Sequence, residues 1–248
     1  MNNFIVDNVE IPFDKKWTNI AISLSGGADS SLLAYLLCSS TEIKTLHCIS
    51  HTRMWKTRPW QTWDSLRVFE WLKRKFTNIE FVRHTNFISP EIEYGNIGPI
   101  LLDEYGKKVS GDNIEIRSFA EYICHWNNVD AYYNAVTRNP REIDLGGMKE
   151  RDIELTEENK HLRLVKHMQG YAVHPFRFIE KNWIIKQYKR FDILDLLEIT
   201  RSCEGEFSNL DYKNYIPGQQ VPICKTCFWC KERDWALKSN EIIQEKYF

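Results

Sequence analysis

Seven consecutive positions, Ser25 to Ser31 (SGGADSS), hold three serines, two adjacent glycines and one aspartate. Adjacent glycines remove the Cβ atoms that keep a backbone away from phosphate, and they admit φ > 0. The serine hydroxyls can add donors. Asp29 would repel phosphate directly, so it suits cupping the loop or meeting Mg²⁺. A second group is made of cysteine: Cys224, Cys227 and Cys230 form C-x2-C-x2-C, with Cys203 upstream. Two-residue spacers let neighbouring thiolates converge on one ion, and four of them satisfy tetrahedral zinc in a closed, structural site. Zinc-bound water and direct zinc catalysis are not expected from such a set.

An anion loop of this kind needs a strand ahead of the glycines and a helix behind them. Residues 19–24 (NIAISL) read as a short buried strand and residues 30–39 as a helix. Ligands bind beyond the carboxyl ends of strands in a doubly wound sheet, where helix N-termini favour anions. Further strands are expected at 43–50, 79–82 and 129–136. Helices are expected at 64–76, opening at the N-cap candidate Asp64, and at 180–191. In 117–128, Phe119, Tyr122, Ile123 and Trp126 mark one helix face. Strands alternating with helices imply an α/β, mostly parallel sheet covered on both faces. Residues 86–115 and 146–170 interrupt that alternation, and the final KERDWALKSNEIIQEKYF reads as a solvated terminal helix.

The chain has 248 residues, enough for one large α/β domain or a domain with an appendage. A net charge of −1 argues against a broad grip on nucleic acid. No apolar run reaches membrane-spanning length. The N-terminus carries Asp7, Glu10 and Asp14 and lacks a signal peptide's basic start, so a cytoplasmic location is expected. Seven cysteines in a reducing compartment read as thiols or metal ligands; Cys38, Cys48 and Cys124 sit in apolar runs and read as small buried hydrophobes. His47, His51, His84, His125 and His174 have no metal-site spacing. In HTRMWKTRPWQTW, Trp55, Trp60 and Trp63 interleave with Arg53, Lys56 and Arg58. That stretch suits a lid stacking on a purine-like ring, a single-stranded nucleic-acid contact, or a loop pinned by packed tryptophans.

SGGADS is neither a G-x-x-x-x-G-K-[ST] loop nor a G-x-G-x-x-G turn. It resembles the SGGxDS signature of the PP-loop ATP pyrophosphatases, which cleave ATP between its α and β phosphates. The resemblance implies an adenine nucleotide alpha hydrolase-like, doubly wound fold, with ATP held by Leu24, Ser25, Gly26, Gly27, Asp29, Ser30 and Ser31. With the four cysteines added, the chain is similar to the 7-cyano-7-deazaguanine synthases. There Arg233 follows the last cysteine, and Pro175, Lys181, Thr200 and Cys203 match the segment leading to the first. The resemblance implies a PP-loop domain over 1–198 and a small zinc region over 199–248. It implies ATP, magnesium and zinc as cofactors, a small-molecule acid and ammonia as substrates, no membrane, and room for a homodimer. Arg117 and Lys181 fall on the expected substrate side, with Trp55 and Arg58 of the lid.

The sequence departs from that family in three places. Twenty residues separate Cys203 from Cys224, TRNPREIDLGG replaces a tyrosine-proline-aspartate-cysteine stretch, and Arg117 is only a partial match to an arginine–asparagine pair. The first places an inserted loop beside the metal, and the two losses lie on the acid substrate's side. Sulfur transfer to a nucleic acid, another acid or amine, and a zinc-stabilised nucleotide-binding module without turnover are the rival readings.

Overall fold

The computed structural model describes residues 2–53, 60–88, 111–147, 151–167, 170–204, 216, 218–219 and 221–243. Its centre is β3, Asn19–Ser23, where Ile20 and Ile22 face one side of the sheet and Ala21 the other. Chain before it forms an antiparallel hairpin, β1 (Asn2–Val6) and β2 (Val9–Phe13). The two turn residues Asp7 and Asn8 take φ of 46° and 65°, the geometry a two-residue hairpin turn demands. The sequence reading did not anticipate this hairpin. It adds Ile11 and Phe13 to the main core, and the Tyr133 hydroxyl donates to the Pro12 carbonyl at 2.8 Å.

After β3 come α1 (Ala28–Ser40), β4 (Thr45–Arg53), α2 (Gln61–Lys75) and β5 (Glu80–Ile88). The chain then passes through α3 (Gly111–Trp126) to β6 (Ala131–Tyr133). A short 3-10 helix, Lys160–Arg163, leads into β7 (Leu164–His167) and β8 (Gly170–Val173). Helices α4 (Lys181–Arg190), α5 (Leu194–Ile199) and α6 (Phe228–Ser239) complete the order. The six-stranded sheet runs β5-β4-β3-β6-β8-β7, parallel throughout except for β7 against β8.

Strand order therefore reverses at β3. The chain moves outward to β4 and β5, then returns to lay β6 on β3's other flank. Such a switch point opens a crevice beyond the strand ends. One sheet face carries the larger core, into which α1, α2, α4, α5 and α6 send Leu33, Val68, Ile184, Leu197 and Leu237. On the opposite face, α3 packs Ala120 and Ile123 against Ala21 and Ile49. Helix α1 is apolar nearly all round because it lies between the sheet and other helices.

Three expectations change. Asp64 does not cap α2: the helix starts a turn earlier, at Gln61, and Asp64 lies 3% exposed within it. The terminal helix is not simply solvated, since Cys230, Glu232, Arg233, Ala236 and Leu237 of α6 are buried. The segment 146–170 holds β7, which pairs with β8 and extends the sheet beyond the simple alternation. None of the helices among the described residues is long and apolar enough to cross a membrane.

Candidate functional site

The glycine turn leaves the carboxyl end of β3 at the switch point, with the Leu24 N–H donating to the Ile49 carbonyl at 2.7 Å. Gly26 takes φ +81°, and a Cβ there would lie 2.6 Å from the Asp64 carbonyl carbon and the Ser65 nitrogen. Only glycine satisfies both the conformation and the approach to α2. The Gly26 carbonyl accepts from the Arg201 N–H at 2.9 Å, so the segment before Cys203 buttresses the loop from the other side. Gly27 stands at the N-cap of α1 without a side-chain cap, leaving that end to whatever anion approaches.

The serines are tied into the turn. Ser30 Oγ accepts from the Ser25 N–H at 3.2 Å and donates to the Gly27 carbonyl at 3.2 Å. Ser25 Oγ accepts from the Gly27 N–H at 3.2 Å, and Ser31, fully buried, donates to the Gly27 carbonyl at 2.8 Å. The hydroxyls thus hold the shape of the turn. Asp29, in the first turn of α1, pairs with Lys181 at the start of α4.

Lys181 is only 2% exposed, and beyond it lies a chain of buried charge. Its Nζ is 3.9 Å from Glu232 of α6, and Glu232 Oε1 accepts from Arg151 at 2.7 Å. Arg151 also donates to the Thr137 carbonyl and hydroxyl at 2.9 and 2.7 Å. Burial raises the Glu232 carboxyl above its usual range, opposed by Lys181 and Arg151. Under the loop, burial pushes Asp64 up to about 6 although Arg201 and Arg67 pull the other way. Arg201 itself lies over the Trp60 ring at 5.5 Å. His174, just after β8, is held down to about 4 by burial and by Arg177.

Cys203, Cys224, Cys227 and Cys230 bring their sulfurs within 4.8 Å of one another. A tetrahedral ion with zinc–sulfur bonds of usual length sets sulfurs about 3.8 Å apart, and Cys224 Sγ lies 3.9 Å from Cys230 Sγ. Lys225 takes φ 59°, turning the chain after Cys224. The Cys227 N–H then donates to Cys224 Sγ, and the Cys224 N–H to Cys203 Sγ, both at 3.3 Å. Contact with Cys203 and Cys227, together with burial, pushes the Cys230 thiol far up, and contact with Cys203 pushes Cys227 up to about 11. Thiols crowded in this way ionise with a cation among them, and the all-sulfur donor set suits zinc or an iron–sulfur centre. A cavity of about 780 Å³ opens beside the cluster, lined by Thr200 to Cys203, by Arg67 of α2, and by Lys231 and Asp234 of α6.

Among the residues singled out from sequence, Asp29 of the loop meets Lys181, and the four cysteines meet one another. Arg117 stands apart, exposed on α3 and paired with Glu121 at 2.8 Å, on the sheet face opposite Lys181. Trp55 and Arg58 lie outside the described residues, as do 89–110 of the first interrupting segment and 205–215 between Cys203 and Cys224. Trp60 is buried, which fits a packed tryptophan rather than a stacking lid. Cys38 and Cys48 are buried and Cys124 is half-buried; burial raises all three thiols, Cys124 up to about 12. Sequence reasoning missed Asp64, Arg151, Arg201 and Glu232. An acid and two arginines in otherwise polar stretches carry no signal of burial, whereas Glu232, two residues beyond Cys230, was open to suspicion from its place alone.

No family model and no curated protein matches the chain. Solved structures overlap with it more loosely. NMN synthetase from Francisella tularensis is 16% identical, with a TM-score of 0.44 over 94% of this chain and 91% of that one. The U34-tRNA thiolase NcsA from Methanococcus maripaludis, with its 4Fe–4S cluster, is 15% identical, with a TM-score of 0.44 over 95% and 76%. A 4-thiouridine synthetase in complex with RNA and ATP is 14% identical, with a TM-score of 0.45 over 72% of this chain and 42% of that one. Overlap at this level transfers no substrate or mechanism. The site rests on its own residues: a glycine turn pressed onto α2 at the switch point of a mostly parallel α/β sheet, beside a four-cysteine cluster that could hold a metal.

Proposed function

We propose that the chain is an ATP-dependent ligase that adenylates a carboxylate and delivers the acyl group to ammonia. The acid is 7-carboxy-7-deazaguanine or a close relative, and the product is its amide or nitrile. The observation that carries this reading is Gly26, wedged at φ +81° onto the backbone of α2, which aims the uncapped N-terminus of α1 into the switch-point crevice.

A carboxylate does not react with ammonia at neutral pH because oxide is a poor leaving group. In the proposed reaction a carboxylate oxygen attacks the α phosphorus, the bond to the bridging oxygen of the β phosphate breaks, and pyrophosphate leaves. Ammonia then attacks the acyl carbon, and AMP departs with one of the acid's original oxygens. A second activation, on the amide oxygen, takes the product to the nitrile. Backbone N–H groups of the loop offset charge gathering on pyrophosphate. Mg²⁺ would supply further charge neutralisation at Asp29. No side-chain nucleophile takes part, since the substrate attacks phosphorus itself. In this reading the four cysteines hold structural zinc, and the cavity beside them offers Arg67 and Lys231 to an anionic substrate.

Product analysis tests the reading. Purified protein is given ATP, Mg²⁺, ammonia and 7-carboxy-7-deazaguanine, and mass spectrometry follows acid, amide, nitrile, AMP and pyrophosphate. Amide or nitrile formed with AMP is the expected result. AMP formed only with another carboxylate keeps the reaction type and changes the acid. Failure to form AMP with any carboxylate overturns the ligase.

A further inference from the structure

Glu232 is fully buried, two residues beyond Cys230, on the helix whose N-cap is Cys227. Its two carboxylate oxygens face different cations. Oε1 takes the hydrogen bond from Arg151, while Oε2, buried and without a hydrogen-bond partner among the described residues, lies 3.9 Å from Lys181 Nζ. Lys181 in turn pairs with Asp29, whose own Oδ1 is also buried and lacks a hydrogen bond among the described residues. One ammonium, 2% exposed, is therefore shared between a carboxylate of the phosphate loop and a carboxylate of the cysteine-bearing helix.

We propose that Glu232 is a positioning residue, carried by the helix turn that the cysteines anchor, which holds Lys181 away from exclusive pairing with Asp29 and so couples the four-cysteine site to the loop. Four elements meet at this point: α1 brings Asp29, α4 brings Lys181, α6 brings Glu232, and Arg151 ties Glu232 to the stretch after β6. The inference rests on the ligase reading to the extent that Asp29 must admit Mg²⁺ when nucleotide binds. With Glu232 present, Lys181 keeps a second anion when it gives up Asp29. Without that charge, Asp29 is the one carboxylate left to the ammonium among the described residues, and the site is less negative towards Mg²⁺. Both effects act in the same direction, raising the Mg²⁺ requirement.

The test compares the parent protein with Glu232→Gln, which keeps the shape and the acceptor for Arg151. Binding of ATP carrying a methylene bridge between its α and β phosphates is measured by calorimetry across a Mg²⁺ series, with metal content assayed alongside. The expected result is unchanged metal content and a Mg²⁺ requirement raised by about fivefold, the size typical of coupling between contacting charges. A purely structural ion pair would lower the melting temperature and leave the Mg²⁺ requirement unchanged, which would overturn the proposal. A second measurement needs neither the variant nor nucleotide. Chelation of the cysteine-bound ion in the parent protein should raise acylation of Lys181 by an amine-reactive ester severalfold. Exposed Lys160 serves as the control site, and continued unreactivity of buried Cys48 excludes global unfolding. Unchanged Lys181 labelling would sink the coupling. If the parent binds no nucleotide, the ligase reading fails and the labelling result decides the coupling by itself.

Discussion

Gly26 permits a test of the loop that changes no charge. Gly26→Ala places a methyl 2.6 Å from the α2 backbone at a φ of +81°. Neither neighbour is a flexible side-chain end, so the loop must move. The expected cost is about 2–4 kcal/mol of stability, together with loss of nucleotide binding, measured by denaturant unfolding and calorimetry. Binding unchanged from the parent would show that the loop is not where nucleotide sits. Asp64, directly beneath, gives a pH signature. Its folded pKa, about 6, lies above its unfolded value, so its favourable contribution is present at low pH and is lost as pH rises through 6. Asp64→Asn should therefore gain on the parent by about 2 kcal/mol between pH 4.5 and 7.5. A difference independent of pH would place the Asp64 carboxyl in an ordinary environment.

Helix α6 starts inside the cysteine cluster and ends in the main core, where Ala236 and Leu237 are buried. Removing one sulfur should therefore release the first turn before the last. Cys227→Ser should lose the bound ion, and its melting temperature should fall by about 5–10 °C, because the ion's binding energy is also folding energy. Full metal content by elemental analysis would remove Cys227 from the ligands. Helix α4 carries the complementary case. Lys181→Met strands two carboxylates, Asp29 and the buried Glu232, and should cost about 3–5 kcal/mol in a denaturant titration. These elements differ in how far sequence exposes them. β3 and α1 were readable because Ile20, Ile22 and Leu24 alternate ahead of glycines and Leu32 to Leu37 follow as one apolar run. β5 was read only as 79–82, since Arg83, His84, Thr85 and Asn86 look unlike a strand; nine-residue pairing with β4 holds them there, and His84 bonds His47 at 2.9 Å. The cysteine cluster was legible from spacing. The Glu232–Lys181–Asp29 chain was not, because its members lie in different segments and only folding makes them neighbours.

At the scale of the whole molecule, the loop is shaped by what packs beneath it. Gly26 rests on Asp64 and hydrogen-bonds Arg201; Asp29 meets Lys181; and the Tyr188 hydroxyl donates to the Ala28 carbonyl at 2.7 Å. Chelating the cysteine-bound ion should raise hydrogen exchange in α6 and at Arg201 and Ser202. Exchange in the β1–β2 hairpin, which docks on the other end of α4 through Asp7 and Lys186, should not change. A uniform rise across both would show that the ion holds the whole fold rather than one corner.

Those supports reach the loop from far along the chain: Lys181 lies 152 residues after Asp29, and Tyr188 lies 160 after Ala28. During synthesis, the glycine turn leaves the ribosome long before anything exists to hold it. At about 5–20 residues per second, roughly 10–40 s pass before α6 follows. For most of that interval the nascent turn is a glycine-containing stretch without its lysine. On the proposed reading, nucleotide competence would therefore wait until α6 and the cysteines at its start have been made and folded onto the loop.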